Sequence, residues 1–337
     1  MNRFFVSALA MLTAALTLVS CSSGKSDEKE VAVLIPSDIT RFVNMAEVMK
    51  SKLASKGYKC RIYNAKGNET TQMAQADTAI MRGAKCICIS AVNGNTAASI
   101  VRLCHNNDVP IFAYNRLVNN CDLDCFVAGD VEKLAKMMFE TAHQKKPRGN
   151  YYIICGDRFD LNGEKLRKNL DKLIDPFVSM GDINLIYRTY VENWDPKMAA
   201  REIRQAINLS GKKPDAVLAG YDGMARAISD ELEQLYGSVD GIAITGQDAE
   251  LESIKYILDD RQTMTAYHPT NEEAETCVSV AISLAEGKAV KGLTSTTFNG
   301  TNNVPTINVS SILIDKDNIE SLLVNKYKVY KKSEIYD

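Results

Sequence analysis

Arginine, amide, carboxylate and aromatic side chains recur just after short apolar runs along this 337-residue chain. Arg41 and Phe42 lie a few residues past VAVLI (31–35), Asn93 follows KCICIS (85–90), and Asn115 and Arg116 follow PIFAY (110–114). Further along, Asp157, Asp160 and Asn162 follow YYIIC (151–155), and Trp194, the sole tryptophan, follows a run that ends at Tyr190. Tyr221 and Asp222 come after AVLA (216–219), Gln247 and Asp248 after IAITG (242–246), and His268 after TMTAY (263–267). Planar amides, carboxylates and guanidinium groups can each engage two neighbouring hydroxyls. Aromatic rings cover the apolar C–H face of a pyranose. Any one of these residues is ordinary for a loop. As a set at corresponding places they describe a grip for one small polyhydroxylated molecule.

Other chemistries lack their signatures. The first apolar run is followed by PSDITRF, without the glycines of a dinucleotide-binding turn, and neither a P-loop nor a G-x-S-x-G elbow occurs. The three histidines, His105, His143 and His268, are far apart and no C-x-x-C pair is present, so neither metal nor cofactor is expected. A net charge of -2, with both signs well mixed, gives no reason to expect nucleic acid as partner. Cys86 and Cys88 sit two apart in an apolar strand and read as small hydrophobes. Cys121 and Cys125 flank a short loop at a spacing that permits a disulfide. Met45, Met49, Met137 and Met138 have helical spacing and read as core, and Asn299-Gly300-Thr301 matches a glycosylation pattern but reads as a loop.

The elements that must position the polar set alternate strictly. VAVLI is a strand with no polar alternation, YKCRIYN, KCICIS and PIFAY are the next strands, and between them lie amphipathic stretches over 44–56, 70–82 and 97–106. After a short strand at 125–128 and a helix over 131–143, the rhythm restarts at Tyr151. Strands over 151–155, 183–190, 216–219, 242–245 and 264–267 alternate with helices over 163–180, 196–209, 224–235, 249–259 and 271–287, and one last strand is expected over 306–314. Buried strands interleaved with helices mean α/β architecture, with parallel sheets flanked by helices. Two similar halves, beginning at Val31 and Tyr151, account for the number of units. Open parallel sheets bind ligands beyond the carboxyl ends of their strands, where the polar set falls.

GNETTQMAQADTAIMRGAKCICIS with VPIFAYNRLV, and later PDAVLAGYDGMARA, IAITGQDAELESIKYILDDRQTMTAYHP and NNVPTINVSSILIDKDNI, resemble the periplasmic sugar-binding proteins of the ribose type, nearest the xylose-binding branch. The likeness runs from about Val31 to the end. It implies two Rossmann-like lobes joined by a three-strand hinge, with crossings near Ala128-Gly129, Tyr267-His268 and Pro305-Thr306. Residues 31–128 plus 268–305 then form the N-terminal lobe, and 129–267 plus 306–337 the C-terminal lobe. The resemblance assigns ligand contacts to Arg41, Phe42, Asn93, Asn115, Arg116, Asn162, Trp194, Tyr221, Asp222, Asp248 and His268. The branch has Asp at the position of Asn115, Asn at that of Tyr221 and Lys at that of His268. Those three departures leave xylose, other pentoses, hexoses and cyclitols open as ligands. The implied activity is ligand binding with hinge closure by a monomer that serves an ABC-type importer or reports to a membrane sensor kinase. An enzyme is not implied: Asp222 and Asp248 could pose as a glycosidase pair, but the resemblance gives both hydrogen-bonding roles.

The first 21 residues differ from the rest. Asn2-Arg3, an apolar run over 4–19 and Leu18-Val19-Ser20-Cys21 read as a signal peptide over 1–20 that resembles a bacterial lipobox, with Cys21 as the lipidated residue. Residues 21–30 are then a lipidated polar tether to the cell envelope, on its periplasmic face or outer surface. This leader stands where a repressor built on the same two-lobed body would need a helix-turn-helix.

Overall fold

A computed structural model describes residues 29–337; the expected signal peptide, the expected lipidation site Cys21 and all but the end of the expected tether lie outside the described residues. From Lys29 onward the chain alternates as the pattern requires. β1 (Glu30–Ile35), α1 (Thr40–Ser55), β2 (Lys59–Asn64), α2 (Glu69–Met81), β3 (Cys86–Ile89), α3 (Ala98–His105), β4 (Ile111–Tyr114) and β5 (Cys125–Gly129) come first. α4 (Val131–Lys145), β6 (Gly149–Cys155), α5 (Leu161–Ser179), β7 (Ile183–Tyr190), α6 (Pro196–Ser210), β8 (Ala216–Ala219), α7 (Asp222–Tyr236), β9 (Ala243–Thr245), α8 (Leu251–Leu258), β10 (Thr265–Tyr267) and α9 (Thr270–Ala285) follow. The chain ends with β11 (Ser295–Phe298), β12 (Asn303–Val309), β13 (Ile312–Ile314) and α10 (Lys332–Tyr336).

One sheet runs β11-β12-β5-β4-β3-β1-β2, a second β7-β6-β8-β9, and β10 pairs antiparallel with β13. A bridge from Thr245 to Met264 sets β10 beside β9. Apart from β11 on β12, every pairing in the two larger sheets is parallel. Helices cover both faces, so β1, β3, β4 and β8 are buried throughout. Each fully buried Leu, Ile or Val among them stabilises the fold by roughly 1.5–3 kcal/mol. On one face of the first sheet α1 packs with α9, joining Met45, Met49 and Leu53 to Cys277, Val278 and Ala281. The other face holds Ile87, Ile89, Ile111 and Val118.

Local chemistry sets the helix starts. Asn68, Asp130, Asp160 and Asp195 each accept a backbone N–H of the helix they precede, and Pro196 begins α6. Gly211 and Gly237 close α6 and α7 in the left-handed conformation.

Three expectations are corrected. The single strand over 306–314 is two: β12 stays paired with β5 as far as Val309, and β13 leaves to pair with β10. The crossing expected at Pro305-Thr306 therefore lies inside β12, and the chain leaves the first sheet only after Val309. An apolar run carries no mark of which sheet receives it. β11, with sequence STTF, has no apolar alternation to announce it and forms an exposed edge held only by β12. Cys121 and Cys125 are both free because they lie in the cores on opposite faces of the first sheet. Burial pushes both thiols up to about 11. The Asn299 side chain is buried, and its Nδ2 donates to the carbonyls of Val118 and Cys121, pinning that loop.

Candidate functional site

The polar set gathers at the carboxyl ends of β1, β4, β6, β8, β9 and β10. α1 begins at Thr40, four residues earlier than its apolar spacing indicates, so Arg41 sits in its first turn. Arg41 Nη2 donates to Glu273 Oε1 at 3.2 Å, and Nη1 to Asp248 Oδ1 at 3.1 Å. Glu273 belongs to α9, which packs on α1, whereas Asp248 follows β9 of the second sheet. The guanidinium therefore bridges elements of the two sheets. Tyr114, at the end of β4, donates its hydroxyl to Glu273 Oε2 at 2.7 Å. Burial works against the Arg41 charge, but Tyr114, Glu273 and Asp248 outweigh it and hold its pKa above the ordinary value. Burial raises the Asp248 carboxyl, and Arg41 opposes that rise. Arg41 Nε is buried with no hydrogen-bond partner.

His268, beyond β10, is buried, and burial followed by the charge of Arg41 holds its pKa well below the ordinary value. Its tautomer follows from its neighbours. Gln247 Nε2 donates to the Gly220 carbonyl at 2.6 Å, which leaves Gln247 Oε1 to accept from His268 Nε2–H at 3.0 Å. His268 Nδ1 then accepts from Ser311 Oγ at 2.9 Å, and Asp248 Oδ1 stands 3.5 Å from Nε2. Ser311 lies between β12 and β13, so this hydrogen bond ties two of the chain crossings together.

Asn115 and Arg116 follow β4. Asn115 has φ of 64°, a left-handed conformation that Asn tolerates better than most residues. Its carbonyl accepts from Asn162 Nδ2 of α5 at 2.9 Å, and its Oδ1 lies 3.4 Å from the same nitrogen. The Arg116 guanidinium lies 5.3 Å from the Phe42 ring centre, with Nε 3.7 Å from Asp160 Oδ2 and Nη1 donating to the Ala91 carbonyl at 3.3 Å. Phe42 itself is buried at 5% exposure, so it supports the guanidinium plane from the core instead of offering an open face.

Across the second sheet, Trp194 and Tyr221 meet edge to face with ring centres 6.3 Å apart. Asn193 and Trp194 both have positive φ, 55° and 56°. The turn is held by Asp157, whose Oδ2 accepts from Asn193 N at 2.7 Å, and by Asp195 at the start of α6. Burial, with Glu250 and Asp248 nearby, pushes the Tyr221 hydroxyl up to about 12, so it remains a donor at neutral pH.

Two residues of the expected set have their polar groups engaged within the protein. Asp222 is fully buried; its Oδ1 accepts from Gln262 Nε2 at 2.8 Å, and its Oδ2 from Thr265 Oγ1 and Glu250 N, both at 2.9 Å. It organises the floor beneath the site. Asn93 engages its amide locally, accepting from Asn95 N of its own loop and donating to Glu69 at the start of α2 at 3.1 Å. Glu273 and Tyr114 escape the sequence reading. A signal for Glu273 was present: it shares the apolar face of α9 with Ala274, Cys277 and Val278, and a carboxylate on a buried face needs a cation to meet it.

A family model described as a periplasmic binding protein domain matches residues 31–289. The D-xylose-binding periplasmic protein of Escherichia coli (strain K12) is 31% identical over 310 residues, covering 91% of this chain and 93% of that protein. The D-xylose-binding periplasmic protein of Haemophilus influenzae is 29% identical over 330 residues, 98% of each chain. The crystal structure of an ABC transporter solute binding protein from Clostridium phytofermentans with bound β-D-glucose shares the fold with a TM-score of 0.82 at 23% identity, over 91% of this chain and 100% of that one.

Proposed function

The chain belongs to the periplasmic binding protein family, and on that premise we propose that it binds one small neutral monosaccharide or related polyol between two lobes and presents it to an ABC-type importer. The observation that carries this reading is the convergence of side chains from both sheets. Arg41 spans Glu273 and Asp248, Asn162 reaches the Asn115 carbonyl, and Arg116 on Phe42 faces Asp160. A ligand held there touches both lobes and stabilises their closed arrangement by its differential contacts.

The lobes of this reading are the first sheet with α1, α2, α3 and α9, and the second sheet with α4 to α8, β10 and β13. The hinge runs through 129–130, 267–270 and 309–312. Arg41 Nε, a buried donor without a partner, is suited to a ligand oxygen. His268, neutral where the xylose branch has lysine, offers no cation, and Arg41 is neutralised by two carboxylates. A neutral ligand suits that balance better than a sugar acid. The relatives named for D-xylose and the neighbour holding β-D-glucose support a monosaccharide as the class. Cys21 as a lipid anchor to the envelope completes the proposal.

The test is a thermal-shift panel of D-xylose, D-glucose, other aldoses and myo-inositol against the protein, followed by calorimetry. A compound present at about 100 times its Kd stabilises the folded state by about 2.7 kcal/mol. One small polyol should raise the melting temperature, and Trp194→Ala and Arg116→Ala should each remove the rise. If the panel is silent, or if both variants respond like the parent, the proposal fails.

A further inference from the structure

The Trp194 indole lies in a slot made by missing side chains. A β-carbon on Gly156, just past β6, would run into the six-membered part of the ring. One on Gly220, just past β8, would come within 2.8 Å of Gly156 N and 3.2 Å of Trp194 Cζ3. Gly223 likewise leaves room for Tyr221, whose hydroxyl oxygen would stand 2.5 Å from an added β-carbon. Neither Gly156 nor Gly220 has positive φ, so backbone conformation does not require glycine at either place. At Gly156 what requires it is the indole itself; at Gly220 it is first the Gly156 and Cys155 backbone, with the indole at the same reach as Cys155.

The backbone under the indole is fixed from several sides. Trp194 N donates to Val191 O at 3.2 Å, Val191 N to Cys155 O at 3.0 Å, Asn193 N to Asp157 Oδ2, and Asp195 caps α6. With the main chain held, a group inserted beneath the ring displaces the ring and not the loop. The direction open to it is away from the sheet end, toward the cleft. We propose that Gly156 and Gly220 are specificity-determining positions. By letting the indole sit flush on the sheet end, they set the depth of the cleft and hence the size of ring it accepts. This rests on the sugar-binding reading above, but the seating of the indole can be tested without any ligand.

Trp194 is the only tryptophan, so fluorescence of the intact protein reports on it alone. In Gly156→Ala, the indole should move outward, with a red-shifted emission maximum and increased acrylamide quenching in the absence of sugar. Calorimetry with D-xylose and D-glucose, which differ by one hydroxymethyl group, should show the larger sugar losing about tenfold more affinity than the smaller, the weight of a carbon-sized change in a tight pocket. Gly220→Ala should move the indole less, since its methyl meets the Gly156 backbone before the ring. If Gly156→Ala alone folds poorly, the double variant Gly156→Ala/Trp194→Phe decides. The smaller ring should accept the added methyl, so the two substitutions should be strongly non-additive in stability. Unchanged emission and quenching, additive stability effects, or equal losses for both sugars would overturn the proposal. A parent that binds no member of the sugar and polyol panel, with the fluorescence shift intact, would count against the sugar reading and for the slot.

Discussion

Lowering the pH from 6.5 to 5.5 should destabilise this protein by about 1 kcal/mol through His268 alone. In the unfolded chain an imidazole titrates near ~6.5. In the folded chain His268 is buried at 8% exposure; that burial, and then Arg41, hold its pKa well below that value, while Asp248 at 3.5 Å pulls weakly the other way. The other groups around the ring, Gln247 and Ser311, are neutral, and Glu273 stands beyond Arg41. A depressed folded pKa means that the unfolded state binds the extra proton. The stabilisation is therefore complete above the unfolded pKa and declines as pH falls below it. Its slope approaches about 1.4 kcal/mol per pH unit, and averaging over the half-titrated start near ~6.5 gives the figure of about 1 kcal/mol. The assay is urea unfolding of the parent and of His268→Gln at pH 7.5, 6.5 and 5.5. The variant keeps a group able to hydrogen-bond but cannot titrate, and the other ionisable groups are common to both proteins. The difference between the two profiles should open below about pH 6.5. Parallel profiles would mean that His268 is already protonated in the fold and paired with Asp248, and would refute the neutral tautomer.

Asp222→Ala should cost about 3 kcal/mol in urea unfolding, because it strands one N–H of Gln262 Nε2 (the other stays on the Met264 carbonyl), the Thr265 hydroxyl and the Glu250 N–H without an acceptor in a buried site; a loss near zero would place Asp222 at the ligand instead of beneath it. Asn115→Ala should lose about 1 kcal/mol for a left-handed residue, whereas Asn115→Gly should be nearly neutral, since the better Asn162 contact is to the Asn115 carbonyl, which both variants keep. Equal losses in the two variants would show that the Asn115 side chain, not its conformation, matters.

The α/β alternation was legible because parallel strands covered on both faces have no reason to alternate. VAVLI and KCICIS announce themselves as wholly buried, and β1 and β3 are. β11 was not legible, since an exposed edge strand of Ser and Thr looks like a loop. The gathering of the polar set at the strand ends was expected from one rule, that ligands sit beyond the carboxyl ends of parallel strands. The role of each residue there did not follow. Phe42 and Asp222 begin or adjoin helices at the right ends, yet a single turn of helix decides whether such a side chain faces a cleft or the core, and both face inward. Neighbours in sequence diverge accordingly: Arg41 reaches Asp248 while Phe42 packs under Arg116, and Tyr221 meets Trp194 while Asp222 is enclosed.

Half of the ten non-glycine residues with positive φ among the described residues fall in these loops. Asn115, Asn193, Trp194, Asp248 and Ala249 all have positive φ, at 64°, 55°, 56°, 96° and 50°. Each costs on the order of 1 kcal/mol or more where the residue is not glycine, and such residues persist only when their surroundings over-determine them. The surroundings here do so. Asn115 N donates to Val127 O, Asp248 N to Ala266 O, Ala249 N to Thr265 Oγ1, and Asn193 N to Asp157. Asp222, which accepts from that same Thr265 hydroxyl, thus supports the Asp248–Ala249 turn from below, and through it the carboxylate that meets Arg41. Glycine would relieve the strain at any of these places but at all save Ala249 would forfeit the amide, indole or carboxylate that the turn delivers, and Asn and Asp are the residues that tolerate the left-handed region at least cost. Trp and Ala have no such excuse. The Trp194 conformation is therefore maintained by the loop, and it seats the ring over Gly156 at the ends of β6 and β8, edge to face with Tyr221.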